Sequence, residues 1–326
     1  MHAPNAGDIP DIENIQSAHR RISEWVRATP VFNDPQLDDR LGCQLHCKCE
    51  NLQRTGSFKF RGASNAIRSL RETGSEGAVA THSSGNHGAA LALAASLDGR
   101  AAHVVMPRGS VQIKVDAVRR YGGIVHFCDP TQESREQTLS ELVSAGNIAI
   151  HPYDSARIIS GQGTASLELI KQVPDLDLIV TPLGGGGLIS GSAIVAGHYG
   201  IPVYGVEPEG AADTVASLQQ GRRVDSWNPE TIADGLRAIV GVRNFAIISS
   251  DVKQVFTVSD KDICLAMSLF WQETRMTIEP SSAVVIAALL NHPKLIAGKK
   301  VGVIISGGNL DPASWVALTQ AFIQDT

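Results

Sequence analysis

Short apolar runs bounded by Gly, Pro or Asp, at 178–181, 203–206 and 301–305, constrain this chain more than any other feature. A strand that is apolar on both alternating faces has no side to give to water. It belongs inside a parallel sheet with helices over both faces. Helix-like segments separate the runs. Residues 12–27 place Ile12, Ile15, Ile22 and Val26 near one helical face. Residues 43–49 read as a strand, and Ser57 can cap a helix running to about Leu70. Strand 78–81, helix 88–97, strand 102–106, helix 111–121, strand 123–127 and helix 131–145 follow. Repeated strand–helix–strand units predict an α/β class with open, twisted, mostly parallel sheets flanked by helices. The segment from about 76 to 148 holds a β-α-β-α-β-α set able to form a smaller unit.

The chain has 326 residues, a net charge of -5 and no basic stretch, which argues against nucleic acid as a partner. No apolar run approaches the ~18 residues of a membrane span. Met1 to Pro10 is short and polar, with no secretory signal visible. Five unevenly spread cysteines suit a reducing cytoplasm. Cys47 and Cys49 share one face of a strand, and nothing nearby completes a zinc set.

Four segments carry chemistry. In Ser57-Phe58-Lys59-Phe60-Arg61-Gly62-Ala63 a lysine sits between two phenylalanines, just after the turn-forming Gly56. Desolvation there lowers its pKa, and a neutral amine is what an imine to an aldehyde cofactor requires. The plain alternative is a surface lysine whose stem lies on apolar neighbours. Gly184, Gly185, Gly186 and Gly187 lie between a buried strand and an apolar helix. Backbone N–H groups there can converge on an anion at the helix N-terminus. Leu188, Ile189 and Ser190 exclude a dinucleotide fingerprint, and no Gly-Lys-Ser/Thr follows to make a Walker loop. A phosphomonoester fits better; a flexible linker is the alternative. Ser83-Ser84-Gly85-Asn86-His87-Gly88 precedes an alanine-rich helix and offers N–H donors to a carboxylate, or simply caps that helix. Ser306-Gly307-Gly308-Asn309 follows the last strand and is by default a turn.

Three further features have ordinary explanations. Glu207 ends a strand, and Asp213 starts the next helix with Ala211 between them. Two carboxylates, a carbonyl and water suit a hard cation, but on the residues alone a strand-end acid plus a helix cap is the better explanation. Arg135, between Glu133 and Glu136, reads as a helix-surface ion pair. Glu279 before Pro280 reads as an acidic first turn.

Taken together, the lysine segment, the serine–asparagine loop and the glycine run resemble the fold-type II pyridoxal-phosphate enzymes. The resemblance is to the branch of serine/threonine dehydratases, serine racemases and 3-hydroxyaspartate dehydratases, from about residue 15 to about 320. It implies a large cofactor domain, 1–75 plus 149–326, with a small substrate domain, 76–148, inserted. Lys59 would carry the cofactor and later move the α-proton, with Phe58 beside the ring unless it is a plain core residue. Gly184 to Gly187 would hold the phosphate, Asn86 the phenolic oxygen and Ser306 the pyridine nitrogen, with Glu279 near the ring. A neutral hydroxyl at the ring nitrogen favours elimination over long-lived carbanions. Ser83, Ser84, Gly85, Asn86 and His87 would grip the substrate carboxylate, with Ser84 as acid/base opposite the lysine. Arg135 would meet a second substrate carboxylate. Glu207, Ala211 and Asp213 match a divalent-cation site, for Mg²⁺, Mn²⁺ or Ca²⁺. A homodimer is the family expectation.

Departures are visible as well. Tyr153 stands where mammalian-type racemases carry asparagine. Of the basic set that binds ATP in those enzymes, Arg54 and Arg275 replace lysines and Glu273 replaces an arginine, which argues against ATP activation. The expected reaction is removal of water and ammonia from a β-hydroxy-α-amino acid, serine or threonine by default. 3-Hydroxyaspartate and phenylserine are the alternative substrates. Racemisation of serine or aspartate, using Lys59 and Ser84 on opposite faces, is the alternative reaction. A cofactor-binding protein without turnover is the alternative class.

Overall fold

The computed structural model describes residues 9–83 and 85–323. Ten strands are present among them: β1 Val31–Phe32, β2 Gln44–Cys49, β3 Val79–His82, β4 Ala102–Pro107, β5 Gly123–Cys128, β6 Ile148–Ala149, β7 Leu178–Pro182, β8 Val203–Pro208, β9 Gln254–Val258 and β10 Lys300–Ile305. They form a six-stranded sheet, β1-β2-β10-β7-β8-β9, and a four-stranded sheet, β5-β4-β3-β6. Every pairing is parallel except β1 with β2. The protein therefore has the α/β architecture of two mostly parallel sheets flanked by helices.

The three apolar runs became β7, β8 and β10 of the larger sheet, and the alternation of their side chains explains the layers. Leu178, Val180, Val301, Val303 and Ile305 join one core with Ala283 to Leu289, from the buried helix Pro280–Asn291. Ile179 and Ile304 join another core with Leu167, Leu169, Leu188 and Ile189. Those four belong to helices Ala156–Gln172 and Gly187–His198 on the opposite face. The smaller sheet packs on helix Asn86–Leu97. That helix sets Ala90, Leu91 and Ala94 against Phe60, Ala63 and Ile67, and Ala89 and Ala92 against Val104, Val115 and Val118.

Two local expectations need correction. The helix expected over 12–27 ends at Ile22; Trp25 and Val26 reach a neighbouring core through a turn, so the apolar spacing outlasts the helix. Ser57 does not cap the helix Lys59–Glu72, which has Phe58 at its N-cap and no side-chain cap. Ser57 instead pairs through its backbone with Gly307. All five cysteines are free and buried. Among the described residues no helix is long and apolar enough to cross a membrane.

Candidate active site

Parallel strands deliver their carboxyl ends to one side of a sheet, where loops gather. Ser306 follows β10, Gly184 to Gly187 follow β7 after Leu183, and Glu207 lies near the end of β8. The lysine segment is pinned to the first of these. Gly56 turns at φ +72°, where a Cβ would lie 2.2 Å from Oδ1 of Asn309. Phe58 N–H donates to the Ser306 carbonyl at 2.9 Å. Lys59 then opens its helix with Nζ 3.3 Å from the Pro152 carbonyl and 5.1 Å from the centre of the Phe58 ring. Burial lowers the Lys59 pKa from 10.5 to about 8, against the opposing charge of Glu279. The ammonium thus gives up its proton more readily than an ordinary lysine, as imine formation requires.

Asn86 starts its helix between two partners. Its Nδ2 donates to Glu279 Oε1 at 2.8 Å, and its Oδ1 accepts from Asn309 Nδ2 at 2.8 Å. Burial pushes Glu279 up to about 7, opposed by Lys114, by the Asn86 bond and by Lys59. Lys114 is itself paired with Asp234. Ser83 Oγ accepts from Gly85 N–H at 3.3 Å and Gly88 N–H at 3.2 Å, while the helix has Gly85 at its N-cap and no side-chain cap there. His87 is 2% exposed, with both ring nitrogens unpartnered among the described residues, and burial holds it well below the usual histidine range. Ser84 lies outside the described residues.

The glycine run is threaded between three segments. A Cβ on Gly184 would lie 2.8 Å from the Leu236 backbone, one on Gly185 2.5 Å from the Tyr153 ring, and one on Gly186 2.6 Å from Asn244 Cβ. Gly186 also turns at φ +92°, directly before helix Gly187–His198. Only glycine passes, and the run leads into a helix N-terminus, which fits a phosphate. Ser306 Oγ lies 2.9 Å from Ser282 Oγ, while Ser282 Oγ donates to Gly307 O and accepts from Gly307 N–H, both at 2.7 Å. A half-buried lysine, a phosphate cradle and a neutral hydroxyl behind the lysine segment suit a phosphorylated pyridine aldehyde.

Glu207 and Asp213 are fully buried neighbours. Glu207 accepts Thr214 N–H at 3.2 Å and Val215 N–H at 3.1 Å, and Asp213 accepts Val240 N–H at 2.8 Å. Burial, then Asp213, pushes Glu207 up to about 8; burial pushes Asp213 up to about 6. Ala211 is buried beside them in sequence. Among the described residues no three His, Cys, Asp or Glu side chains gather as a metal site. A cation here would draw on these two carboxylates, main-chain carbonyls and water.

Arg135 sits on helix Gln132–Ser144, where Glu136 is engaged by Gln132 at 2.6 Å. Its Nε is enclosed and has no partner among the described residues. Its charge acts on His82, at the end of β3, and on Cys128, at the end of β5. It therefore lies at the carboxyl edge of the smaller sheet. Tyr153 packs against the glycine run, and burial pushes its hydroxyl up to about 12.

Several residues of the site carried no sequence signal that was used. Asn244 Nδ2 donates to Gly185 O at 2.6 Å and holds the glycine run from behind. His151 Nδ1 accepts from Tyr153 N–H at 3.3 Å and Asp154 N–H at 2.8 Å, and burial depresses its pKa to about 4. Asn309 could have been singled out in the Ser306-Gly307-Gly308-Asn309 turn, where a polar residue beside two glycines marks a constrained corner.

The fold and this site define a fold-type II pyridoxal-phosphate protein. A family model described as "Pyridoxal-phosphate dependent enzyme" matches residues 22–307, and the chain belongs to that family. It is 43% identical over 306 residues to the beta-hydroxyaspartate dehydratase of Paracoccus denitrificans strain Pd 1222, covering 93% of this chain and 97% of that protein. It is 45% identical over 312 residues to the serine racemase of Dictyostelium discoideum, covering 93% and 96%. The structure of maize serine racemase superposes with a TM-score of 0.91 at 40% identity, over 97% of this chain and 99% of that one.

Proposed function

We propose that this protein is an ammonia-lyase that converts 3-hydroxyaspartate to a 2-oxo acid, with serine and threonine as poorer substrates. The observation that carries the substrate choice is Arg135, whose enclosed Nε lacks a partner at the edge of the cleft. A planar guanidinium in that state suits the distal carboxylate of an acidic substrate. The relationship to the Paracoccus dehydratase supports the same reading.

Gly184 to Gly187 would hold the phosphate of pyridoxal phosphate, with Ser306 placed for the ring nitrogen and Asn86 for the phenolic oxygen. When bound, pyridoxal phosphate supplies the electron sink that acidifies the substrate α-proton. Lys59, whose amine loses its proton more readily than an ordinary lysine, would anchor the cofactor. Its free amine would take the α-proton of the substrate. The N–H groups of the 83–88 loop orient the α-carboxylate, and Arg135 fixes the distal one. The β-hydroxyl would leave as water by taking up the proton that Lys59 removed, and addition of water to the resulting imine would release ammonia and the oxo acid. Glu279 stays engaged with Asn86, near the ring. We also read 76–148 as a small domain, Glu207, Asp213 and the Ala211 carbonyl as a divalent-cation site, and the working form as a homodimer.

Replacing Arg135 by Gln tests the substrate. Breaking a buried charge pair costs about 2–5 kcal/mol, so kcat/KM for 3-hydroxyaspartate should fall roughly 30-fold or more. Activity on L-serine should hardly change. Equal losses on both substrates would remove Arg135 from substrate recognition. The similarity to the Dictyostelium racemase favours racemisation as the second reading. Chiral analysis of residual substrate separates the two.

A further inference from the structure

The helix that begins with Lys59 has no side-chain cap at its N-terminus, so something else must hold its first turn. The structure offers a clamp on the opposite side. Residues two apart on a helix point about 200° from each other. Lys59 reaches the Pro152 carbonyl with its Nζ, and Arg61 faces the core and is fully buried.

Its guanidinium is gripped by two carboxylates. Nε and Nη2 donate to Glu50 at 2.7 and 2.8 Å, and Nη1 and Nη2 donate to Glu168 at 2.7 and 2.8 Å. Nη1 also reaches Thr164 Oγ1 at 3.3 Å, and Nη2 reaches the Arg27 carbonyl at 3.4 Å. Lys48 Nζ closes the cluster, donating to Glu168 at 2.7 Å, to the Thr29 carbonyl at 2.7 Å and to Gln172 at 2.9 Å. Thr29 Oγ1 donates to Glu50 at 2.6 Å. Two cations thus meet two carboxylates in the interior, with no net charge.

The cluster joins the lysine helix to β2, to the turn Glu50–Leu52 and to helix Ala156–Gln172. That last helix also meets the lysine helix at a glycine crossing. A Cβ on Gly161 would lie 2.6 Å from Gly62 Cα, and Gly62 N–H donates to Gln162 Oε1 at 3.0 Å. Close approach fixes the distance between the helices, and the planar fork of Arg61 fixes rotation about the helix axis. Buried ion clusters add little stability over apolar packing of the same volume. A directional role accounts for this one better than a stabilising role.

We propose that Arg61, held between Glu50 and Glu168, is a positioning residue that sets the rotation of its helix and so delivers the Lys59 amine into the cleft. The proposal rests on the pyridoxal-phosphate reading of Lys59. Arg61 touches neither cofactor nor substrate.

The test uses the charge-balanced double variant Arg61→Met with Glu50→Gln, and the single variant Arg61→Lys. The double variant removes one charge of each sign, so the Lys48–Glu168 pair remains neutral. Circular dichroism and melting check that each protein is folded. The first readout is the pH midpoint for acylation of Lys59 in cofactor-free protein, followed by peptide mass spectrometry. In the double variant the midpoint should rise toward the ordinary lysine value of about 10.4. The second readout is steady-state kinetics of the holoenzyme, where kcat should fall about tenfold with KM little changed, as misplacement of a reacting group does. Arg61→Lys keeps the charge without the fork and should fall between the two. If the double variant does not fold, the lysine variant alone decides through its midpoint. A folded variant with the wild-type Lys59 midpoint overturns the proposal, whatever its kcat. Failure of the wild type to take up pyridoxal phosphate on Lys59 would strike the underlying reading instead.

Discussion

Replacing Gly185 by alanine examines the phosphate cradle from the side of packing. The added Cβ would lie 2.5 to 2.6 Å from three atoms of the Tyr153 ring, about 1 Å inside ordinary contact distance. Neither side can retreat. The ring stands edge-on to His151 at 4.6 Å, and the Tyr153 carbonyl accepts from Asn244 at 3.3 Å. Behind the loop, Gly185 O is held by Asn244 at 2.6 Å and by Gly241 N–H at 3.1 Å. Overpacking of this kind costs about 1–3 kcal/mol. If the loop must distort to bind phosphate, that energy appears as a loss of roughly 5- to 150-fold in cofactor affinity. Titration of cofactor-free protein with pyridoxal phosphate, followed by absorbance, measures it. Gly197→Ala is the control, since it lies in the last turn of the helix that follows this loop, Gly187–His198, with nothing within 4 Å of the new methyl. It should leave affinity unchanged and add up to about 1 kcal/mol of stability. Wild-type affinity in Gly185→Ala would refute the assignment of this loop to the phosphate.

Other perturbations have equally definite outcomes. Cofactor-free Lys59→Met should be more stable than wild type at pH 7 by up to about 3 kcal/mol, since the lysine pKa drops from 10.5 unfolded to about 8 folded. That penalty is complete below pH 8 and fades as pH rises to 10.5, so melting curves of the two proteins should converge there; a constant gap would contradict the desolvation argument. Divalent cation at about 100 times its dissociation constant should stabilise the protein by about 2.7 kcal/mol, and Glu207→Gln should abolish most of that rise. An equal rise in both proteins would move the cation elsewhere. Asn86→Ala removes the donor to Glu279 and should raise that carboxyl above its present value of about 7. Infrared titration of the carboxyl reads this directly, and an unmoved titration would show that the bond is not maintained in solution.

What the sequence revealed depended on how local each signal was. Strands β7, β8 and β10 were legible because burial on both faces leaves continuous apolar runs. Gly184 to Gly187 and the Lys59 segment were legible because each is a short contiguous motif. Ser57 was misread because its sequence looks like a helix cap, while a tertiary pairing with Gly307 decides its conformation. Val26 kept the helical spacing beyond Ile22 because a turn can return a side chain to a nearby core. Ser83 accepts two N–H groups of its own loop, a local contact that its serine-rich sequence already suggested. The Arg61 cluster was invisible for a different reason. Lys48 and Glu168 are 120 positions apart, and no periodicity links them. Asn86 and Asn309, 223 positions apart, meet only because the segments after β3 and β10 converge in the fold.

The most direct test of the account is reduction of the purified protein with borohydride after incubation with pyridoxal phosphate, followed by peptide mapping. The account predicts one reduced cofactor per chain, attached to Lys59, and an absorption band that changes when 3-hydroxyaspartate is added and oxo acid appears. Attachment to another lysine, or no attachment at all, would contradict it.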